Sequence, residues 1–409
     1  MLLSVVLSSV ATACGWGRET ERVSDLVRFD SAGVEVVVNS RTAAEVPVFA
    51  TLDGAPSLRL GSVDGRPEEQ FGAVTDVLPL GDGGVAVLDG QAAQILLFDG
   101  DGGYRSTLGF KGDGPAGFQS PIRIGLLPGD TLAVYDSGPR RITRFAPSGE
   151  LGRITTLRET TARIVAASFL PGGGMVGQSR WLDPAGGTLP GPEWTLVRDT
   201  AVLTAFSTMG TVQDTVDLVA GRETLTSIVR TASSISVFRR SPVFGRTNVF
   251  AVAPNGIWSS SNDRFELRLY DVSSGRLIRI VRAPELERPA TDELAEAIYD
   301  RAYAEAGTPE DRRRTDAWFA LSPRPDRQPA FDLLVVDDHT RLWVHEWSAL
   351  AHGNRWWVFS PDGELLGSVE VPSGMTITAV RCGWIWGIEQ DELDVSYVVR
   401  YEAAGLDGC

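Results

Sequence analysis

Short apolar runs alternate with tight turns along most of the chain. Val74 to Leu80 is followed by Gly81-Asp82-Gly83-Gly84 and then by Val85 to Asp89. The unit returns as Ile122 to Leu127, Pro128-Gly129-Asp130 and Leu132 to Asp136, and again as Val165 to Leu170, Pro171-Gly172-Gly173-Gly174 and Met175 to Ser179. Further copies run Val249 to Ala253, Pro254-Asn255-Gly256 and Ile257 to Ser261, then Phe331 to Val336, Asp337-Asp338-His339 and Leu342 to Glu346. The last is Ile377 to Val380, Cys382-Gly383 and Trp384 to Glu389, which makes six copies. An apolar run, a Gly/Asn/Asp turn and a second apolar run signal a β-hairpin. After each hairpin an aromatic ends a strand and a glycine follows four or five residues later: Phe98 and Gly102, Phe145 and Gly149, Phe206 and Gly210, Tyr270 and Gly275, Phe359 and Gly363, Tyr401 and Gly405. Glycine supplies the left-handed position of a hairpin loop, and the aromatic can close one sheet against its neighbour. Two hairpins give four strands, a to d, which is one propeller blade.

The ends of the pattern predict how the ring closes. The sixth repeat has strands a, b and c but no d, whereas Ser57 to Gly61 is a d-like strand with no repeat before it. The stretch after it, Val63 to Gly72, resembles Phe110 to Phe118, which joins the first repeat to the second. Ser57 to Gly61 is therefore expected to complete the sixth blade and leave no open sheet edge. Val34 to Val38 reads as one more strand without an assigned place. Long connections are expected at about 220–246 and 283–330. The second reads as helical: Thr291 can cap, Asp292 and Glu293 suit a first turn, and Leu294, Ala297 and Ile298 share one face. Gly307 ends that helix, and Thr308-Pro309 starts another. The expectation is an all-β, six-bladed β-propeller over 57–405, with a small helical insert at about 284–328 between blades 4 and 5. An N-terminal segment (15–56) precedes it and a short tail (406–409) follows.

Composition narrows the class. The 409 residues carry a net charge of −15, and Lys111 is the single lysine. That excludes a phosphate-binding nucleic-acid surface, which needs clustered cations, and implies no particular partner. The apolar stretch Met1 to Ala13 leads into Ala11-Thr12-Ala13-Cys14. This resembles a bacterial lipobox, in which the cysteine is lipidated, although Ala11 stands where Leu is usual and no Lys or Arg precedes the run. A plain signal peptide ending there is the other reading. The stretch is short for a membrane span, and no other segment offers about 18 uninterrupted apolar residues, so the body is expected to be soluble. Cys382 and Cys409 remain as an even pair, able to form a disulfide in an oxidising compartment or to stay as separate thiols. The expected location is the cell envelope, lipid-anchored, periplasmic or secreted, with the chain a monomer.

Gly112-Asp113-Gly114-Pro115-Ala116-Gly117-Phe118, followed by Leu132-Ala133-Val134-Tyr135-Asp136, resembles NHL-type and related bacterial six-bladed propellers. The resemblance spans about 57–405. It implies the fold and leaves the function open, because such propellers include binding scaffolds, lactonases and lyases.

Antiparallel blades put the b–c loops and the d–a connections on one face. That face carries the b-strand ends Asp89, Asp136, Ser179, Ser261, Glu346 and Glu389. The carboxylates either ring a cation or basic ligand, or cap their own turns. The same face receives Lys111 and the stretch Arg239-Arg240-Ser241-Pro242-Val243-Phe244-Gly245-Arg246. These suit an anionic or peptide ligand, or are solvated arginines paired with nearby carboxylates. His339, His345 and His352 lack zinc-like spacing, and no nucleophile elbow, phosphate loop or CxxC is present. Trp343, Trp347, Trp356, Trp357, Trp384 and Trp386 either stack a sugar or pack between blades. The leading expectation is an exported binding module without a cofactor, for a protein, peptide or glycan of the envelope. The alternative is a metal-dependent hydrolase or lyase of the lactonase kind. In it Asp89, Asp136, Glu346 and Glu389 would have to converge on a calcium ion.

Overall fold

The structure, a computed structural model, describes residues 25–408 except 53, 159–161, 182–192, 231–232 and 350–353. Cys14, His352 and Cys409 lie outside the described residues, as does the whole leader segment. Each hairpin of the sequence pattern forms the a and b strands of its own antiparallel sheet. Sheet 1 is Val74–Pro79, Val85–Asp89, Gln94–Phe98 and Tyr104–Leu108; sheet 2 is Pro121–Leu127, Thr131–Asp136, Arg141–Phe145 and Leu151–Thr156. Sheet 3 is Ile164–Phe169, Met175–Trp181, Thr195–Phe206, Val212–Arg230 and a fifth strand, Ile235–Arg240. Sheet 4 begins with Asn248–Ala253, Gly256–Ser261, Glu266–Tyr270 and Leu277–Arg282. Sheet 5 is Phe331–Val336, Leu342–Glu346, Arg355–Phe359 and Leu365–Glu370; sheet 6 begins with Met375–Arg381, Trp384–Gln390 and Ser396–Ala404.

The a strands touch in unbroken succession from sheet 1 to sheet 6, and that of sheet 6 touches that of sheet 1. This ring of radial sheets is a β-propeller. Its core is divided accordingly. Six clusters of buried apolar residues each lie between two consecutive sheets, so that Ile124 of the second, with Phe118 just before it, joins Leu88 and Ile95 of the first, and Leu58 and Leu60 join Val85 and Phe98. The repeated aromatics behave as expected: Phe145, Phe206 and Tyr401, for example, sit in the cluster shared with the preceding sheet. The glycine after each aromatic has positive φ, and a Cβ on Gly363 would lie 2.5 Å from Val281 Cγ2 in the preceding sheet, so the c–d turn there must be bare. Trp343, Trp356, Trp357 and Trp386 are buried in these slabs, which favours packing over sugar stacking for those four.

Closure follows the expectation. Leu58–Leu60 pairs antiparallel with the c strand of sheet 6, Leu60 against Val398 and Leu58 against Arg400. The segment before it is not a separate piece. Val34–Asn39 runs parallel to Leu277–Arg282, and Leu26–Ser31 pairs with it, extending sheet 4 to six strands. The chain then crosses sheet 5, where Phe49 N donates to Ser368 O (2.8 Å) and Ser368 N to Pro47 O (2.9 Å), and reaches sheet 6 as Thr51–Leu52 beside Ala403 and Ala404. Residues 25–60 thus strap the outer rims of three consecutive sheets. Buried Asn39 fastens the strap, accepting from Leu365 N at 2.8 Å and donating to Gly363 O at 3.0 Å.

Between sheets 4 and 5 stand helix α1, Asp292–Glu305, and helix α2, Pro309–Leu321. Thr291 and Thr308 cap them as their sequences predict, each hydroxyl accepting a backbone N–H. No helix among the described residues is long and apolar enough to cross a membrane. The long connection expected at about 220–246 is largely strand. Leu225 and Ile228 are buried, and the d strand of sheet 3 continues to Arg230 and turns back as Ile235–Arg240. This hairpin gains its core from the helices: Leu225, Phe244, Ala295 and Trp318 form a seventh apolar cluster.

Candidate functional site

The sequence-derived carboxylates do not gather around one point. Asp89 accepts from the N–H groups of Gly72 (2.7 Å), Ala73 (3.2 Å), Gln91 (3.0 Å) and Ala92 (2.9 Å). Fully buried Asp136 accepts from Gln119 (2.9 Å), Ser120 (2.8 Å) and Gly138 (3.2 Å). Each ties a d–a connection to a b–c turn, the capping role. In sheet 4 the equivalent position is buried Asn262 rather than Ser261, and its amide takes Thr247 N at 2.8 Å. Glu346 pairs with Arg288 at 3.0 Å, and Glu389 pairs with Arg59 and accepts from Tyr401 Oη at 2.9 Å. Among the described residues the one group of acidic or His side chains close enough to share a cation is Asp337, Asp338 and His339. It lies on the opposite face, in the a–b turn of sheet 5, where Asp337 is already bound by Arg341 and Trp343.

The predicted basic stretch divides. Arg246 binds Asp263 at 3.0 Å, and Asp263 is also held bidentately by Arg198 at 2.9 and 2.6 Å. Burial would raise the Asp263 carboxyl, but the Arg198 and Ser261 hydrogen bonds outweigh it and hold the group below the usual range. Arg240 lies 3.6 Å over the Trp318 ring and donates to Thr315 Oγ1 at 3.3 Å. Arg240 ties the hairpin to α2, and Arg246 ties the connection to the b–c turn of sheet 4. Arg239 and Lys111 are exposed.

A cavity of about 320 Å³ between the hairpin and the helices is lined by Arg239, Arg240, Glu305 and Thr315, and further open space lies at the axis. Two adjoining cavities of about 630 and 540 Å³ share Arg222, Thr247, Asp332, Leu333 and Thr376. The a strands build the wall, and five of the six carry an irregularity, at 74/76, 121/123, 164/166, 331/333 and 377/379. A bulge leaves a residue unpaired and re-aims its side chain; here Thr75, Val165, Asp332 and Thr378 line the axial cavity. Asp332 meets His345 Nδ1 at 2.5 Å, and the His345 ring lies 5.0 Å from that of Trp356. Gln178 and Asn248 exchange amide hydrogen bonds of 3.1 and 2.9 Å between sheets 3 and 4.

On one side the wall is raised by the long strands of sheet 3. Their register slips at Asp199, opposite Gly221 and Arg222, and Asp199 Oδ1 accepts from Arg222 N at 2.8 Å. A Cβ on Gly221 would lie 1.9 Å from that oxygen. The slip places Arg222 in the lining of both cavities, and Arg180 lines the first. Sequence reasoning named His345 but missed Arg180, Arg222 and Asp332. The available signal was a charge inside an apolar strand, as in Phe331-Asp332-Leu333-Leu334.

Asp76 lines the same cavity, accepting from Ile124 N at 2.9 Å and Val77 N at 3.1 Å. Burial pushes its carboxyl above the ordinary Asp value, against the opposing charge of Arg123. From about pH 4 up to that raised value the folded protein holds more protons than the unfolded chain, so this group makes stability fall as pH rises. Asp76→Asn is expected to remove that contribution. The difference between variant and wild-type urea midpoints should grow in the variant's favour from pH 4 to pH 7, and a constant difference would exclude Asp76 as its source.

No protein-family model matches the sequence, and no curated protein matches it. Solved structures similar to the chain include a member of the DUF4221 family from Bacteroides vulgatus, at 9% identity and TM-score 0.48, covering 87% of this chain and 98% of that one. Virginiamycin B lyase from Staphylococcus aureus is similar at 11% identity and TM-score 0.39, covering 84% and 98%. Regucalcin, a calcium-binding protein from Agrobacterium tumefaciens, is similar at 10% identity and TM-score 0.40, covering 88% and 98%. The fold assignment rests on the sheet order and ring contacts of this chain itself.

Proposed function

We propose that the protein is an exported six-bladed β-propeller of the NHL-related kind. In this reading it binds an envelope ligand, a glycan or peptide, at the axial mouth on its loop-bearing face. The observation that carries the reading is the pair of joined cavities, bordered by Arg222, Asp332, His345, Asn354 and Gln390 and flanked by the raised hairpin. Polar groups converging on a concave site are what orients a ligand. The metal-dependent alternative draws no support from carboxylates that each serve a separate turn or ion pair. Export draws support from Cys382, which is disulfide-bonded, as oxidising compartments permit. The tail passes its turn: Gly383 would place a Cβ 3.7 Å from Gly408 Cα.

The test is a variant that fills the mouth. Ser373 is exposed in the loop before sheet 6 and lines the outer cavity. Ser373→Trp is expected to abolish binding to whichever members of a glycan and peptide array retain the wild type, with melting unchanged within about 0.5 kcal/mol. Retained binding would move the site elsewhere. Lipid anchoring through Cys14 is tested separately. Cys14→Ala should release the protein from the membrane fraction, and unchanged fractionation would refute the lipobox.

A further inference from the structure

We infer that the axial mouth is a carboxylate-binding site, in which Arg180 and Arg222 receive the anionic end of the ligand and exposed Arg239 adds to the field that draws it in. The inference rests on the proposed use of this mouth and specifies the ligand's chemistry.

Three observations carry it. First, the sheet 3 wall concentrates positive charge in a protein whose net charge is −15. Arg180 and Arg222 line one cavity, and Arg239 stands on the neighbouring strand pair. Burial, followed by the repulsion of Arg222 and then Arg239, holds the Arg180 guanidinium below the ordinary arginine value, with Asp199 opposing. Second, the existing carboxylate does not satisfy these donors. Asp199 Oδ2 is 3.7 Å from Arg180 Nε, beyond a hydrogen bond, because its other oxygen is committed to the Arg222 backbone N–H. Arg180 Nε is buried without a hydrogen-bond partner among the described residues. Arg222 and Arg239 form no ion pair among those residues, whereas nearby Arg198 and Arg246 are both paired with Asp263. Third, the cavity accepts only modest negative charge. Asp76 and Asp332 line it, Asp332 beside His345, and Asp199 accepts from the backbone of lining residue Arg222. Carboxylates already at the site oppose a dianion more strongly than a monoanion. A guanidinium fork matches a carboxylate's two oxygens, so a singly charged carboxylate fits better than a phosphate ester.

Two ligand sources share this chemistry, a uronic acid and a peptide C-terminus, and the experiment separates them. The full chain is titrated calorimetrically at fixed ionic strength with galacturonate and with N-acetylglycylglycine. Galactose and the amide of the peptide serve as neutral counterparts. At least one acid is expected to bind saturably, tenfold or more tighter than its neutral counterpart, and Arg222→Gln is expected to weaken it by at least tenfold. Galacturonate alone binding assigns a sugar acid, and the peptide alone assigns a C-terminus; either supports the inference. Arg180→Lys, which keeps the charge and loses the fork, should fall between wild type and Arg222→Gln. Failure of both acids to bind, equal affinity for the neutral counterparts, or unchanged affinity in Arg222→Gln would overturn it. If the neutral counterparts bind and Ser373→Trp abolishes that binding, the mouth remains a ligand site and only its anionic character is lost.

Discussion

A chain lacking residues 1–62 is expected to accumulate as insoluble protein where the full chain is soluble. The deletion takes away the strand paired with Val398, Val399 and Arg400, so the c strand of sheet 6 becomes an exposed edge. It also removes Leu58 and Leu60 from the cluster joining sheet 6 to sheet 1, uncovering Val85, Phe98 and Trp386. Val34–Asn39 goes with them, which bares the outer strand of sheet 4. Unpaired, apolar strand edges template association between chains, and two appear at once. The measurement is the soluble fraction after expression, followed by a thermal melt of whatever remains. A truncated protein that stays soluble and melts with the full chain would show that the ring holds without its N-terminal closure.

Asp136→Ala is expected to lower stability by about 3 kcal/mol. The carboxylate is fully buried and serves three N–H groups, those of Gln119, Ser120 and Gly138, which belong to two different connections. Leaving buried donors unsatisfied costs about 1–3 kcal/mol each, and water reaching the face recovers part of that. Asp136→Asn keeps one acceptor oxygen and should lose roughly half as much. The check is the urea midpoint at constant slope. A loss below about 0.5 kcal/mol in the alanine variant would mean that solvent replaces the cap, and would free Asp136 for the ligand role the sequence also allowed.

The propeller was legible because its information is local. Each hairpin carries its own turn, and each c strand ends in an aromatic with a glycine after it, so the repeat is visible without any long-range pairing. The closing strand was legible by subtraction, as the d strand that sheet 6 lacks. Val34–Asn39 could not be placed, because a parallel pairing with Leu277–Arg282 leaves no mark in either segment. The strand Ile235–Arg240 was hidden for another reason. Phe238 and Arg239 break its apolar alternation, and Trp318, which Arg240 stacks on, belongs to a helix much later in the chain. The same distinction governs the site. Asp89 and Asp136 were conspicuous as repeat features, and repeat features serve the fold. Arg180, Arg222 and Asp332 occur once each, and their positions depend on strand irregularities and on a register slip that no spacing records.

The strap also sets a timetable. Ser57 and Arg400, which join in the closing pair, are 343 positions apart. At about 5–20 residues per second the ribosome needs roughly 20–70 s to deliver the second after the first. The strap gains its partners in order, Leu277–Arg282 first, Ser368 next and Val398–Arg400 last, and until the last arrive the sheets already made can form only an open arc. Locking comes last: the strand made near the N-terminus waits for Val398–Arg400 near the C-terminus, so the ring first becomes whole only when the last strand of sheet 6 is in place.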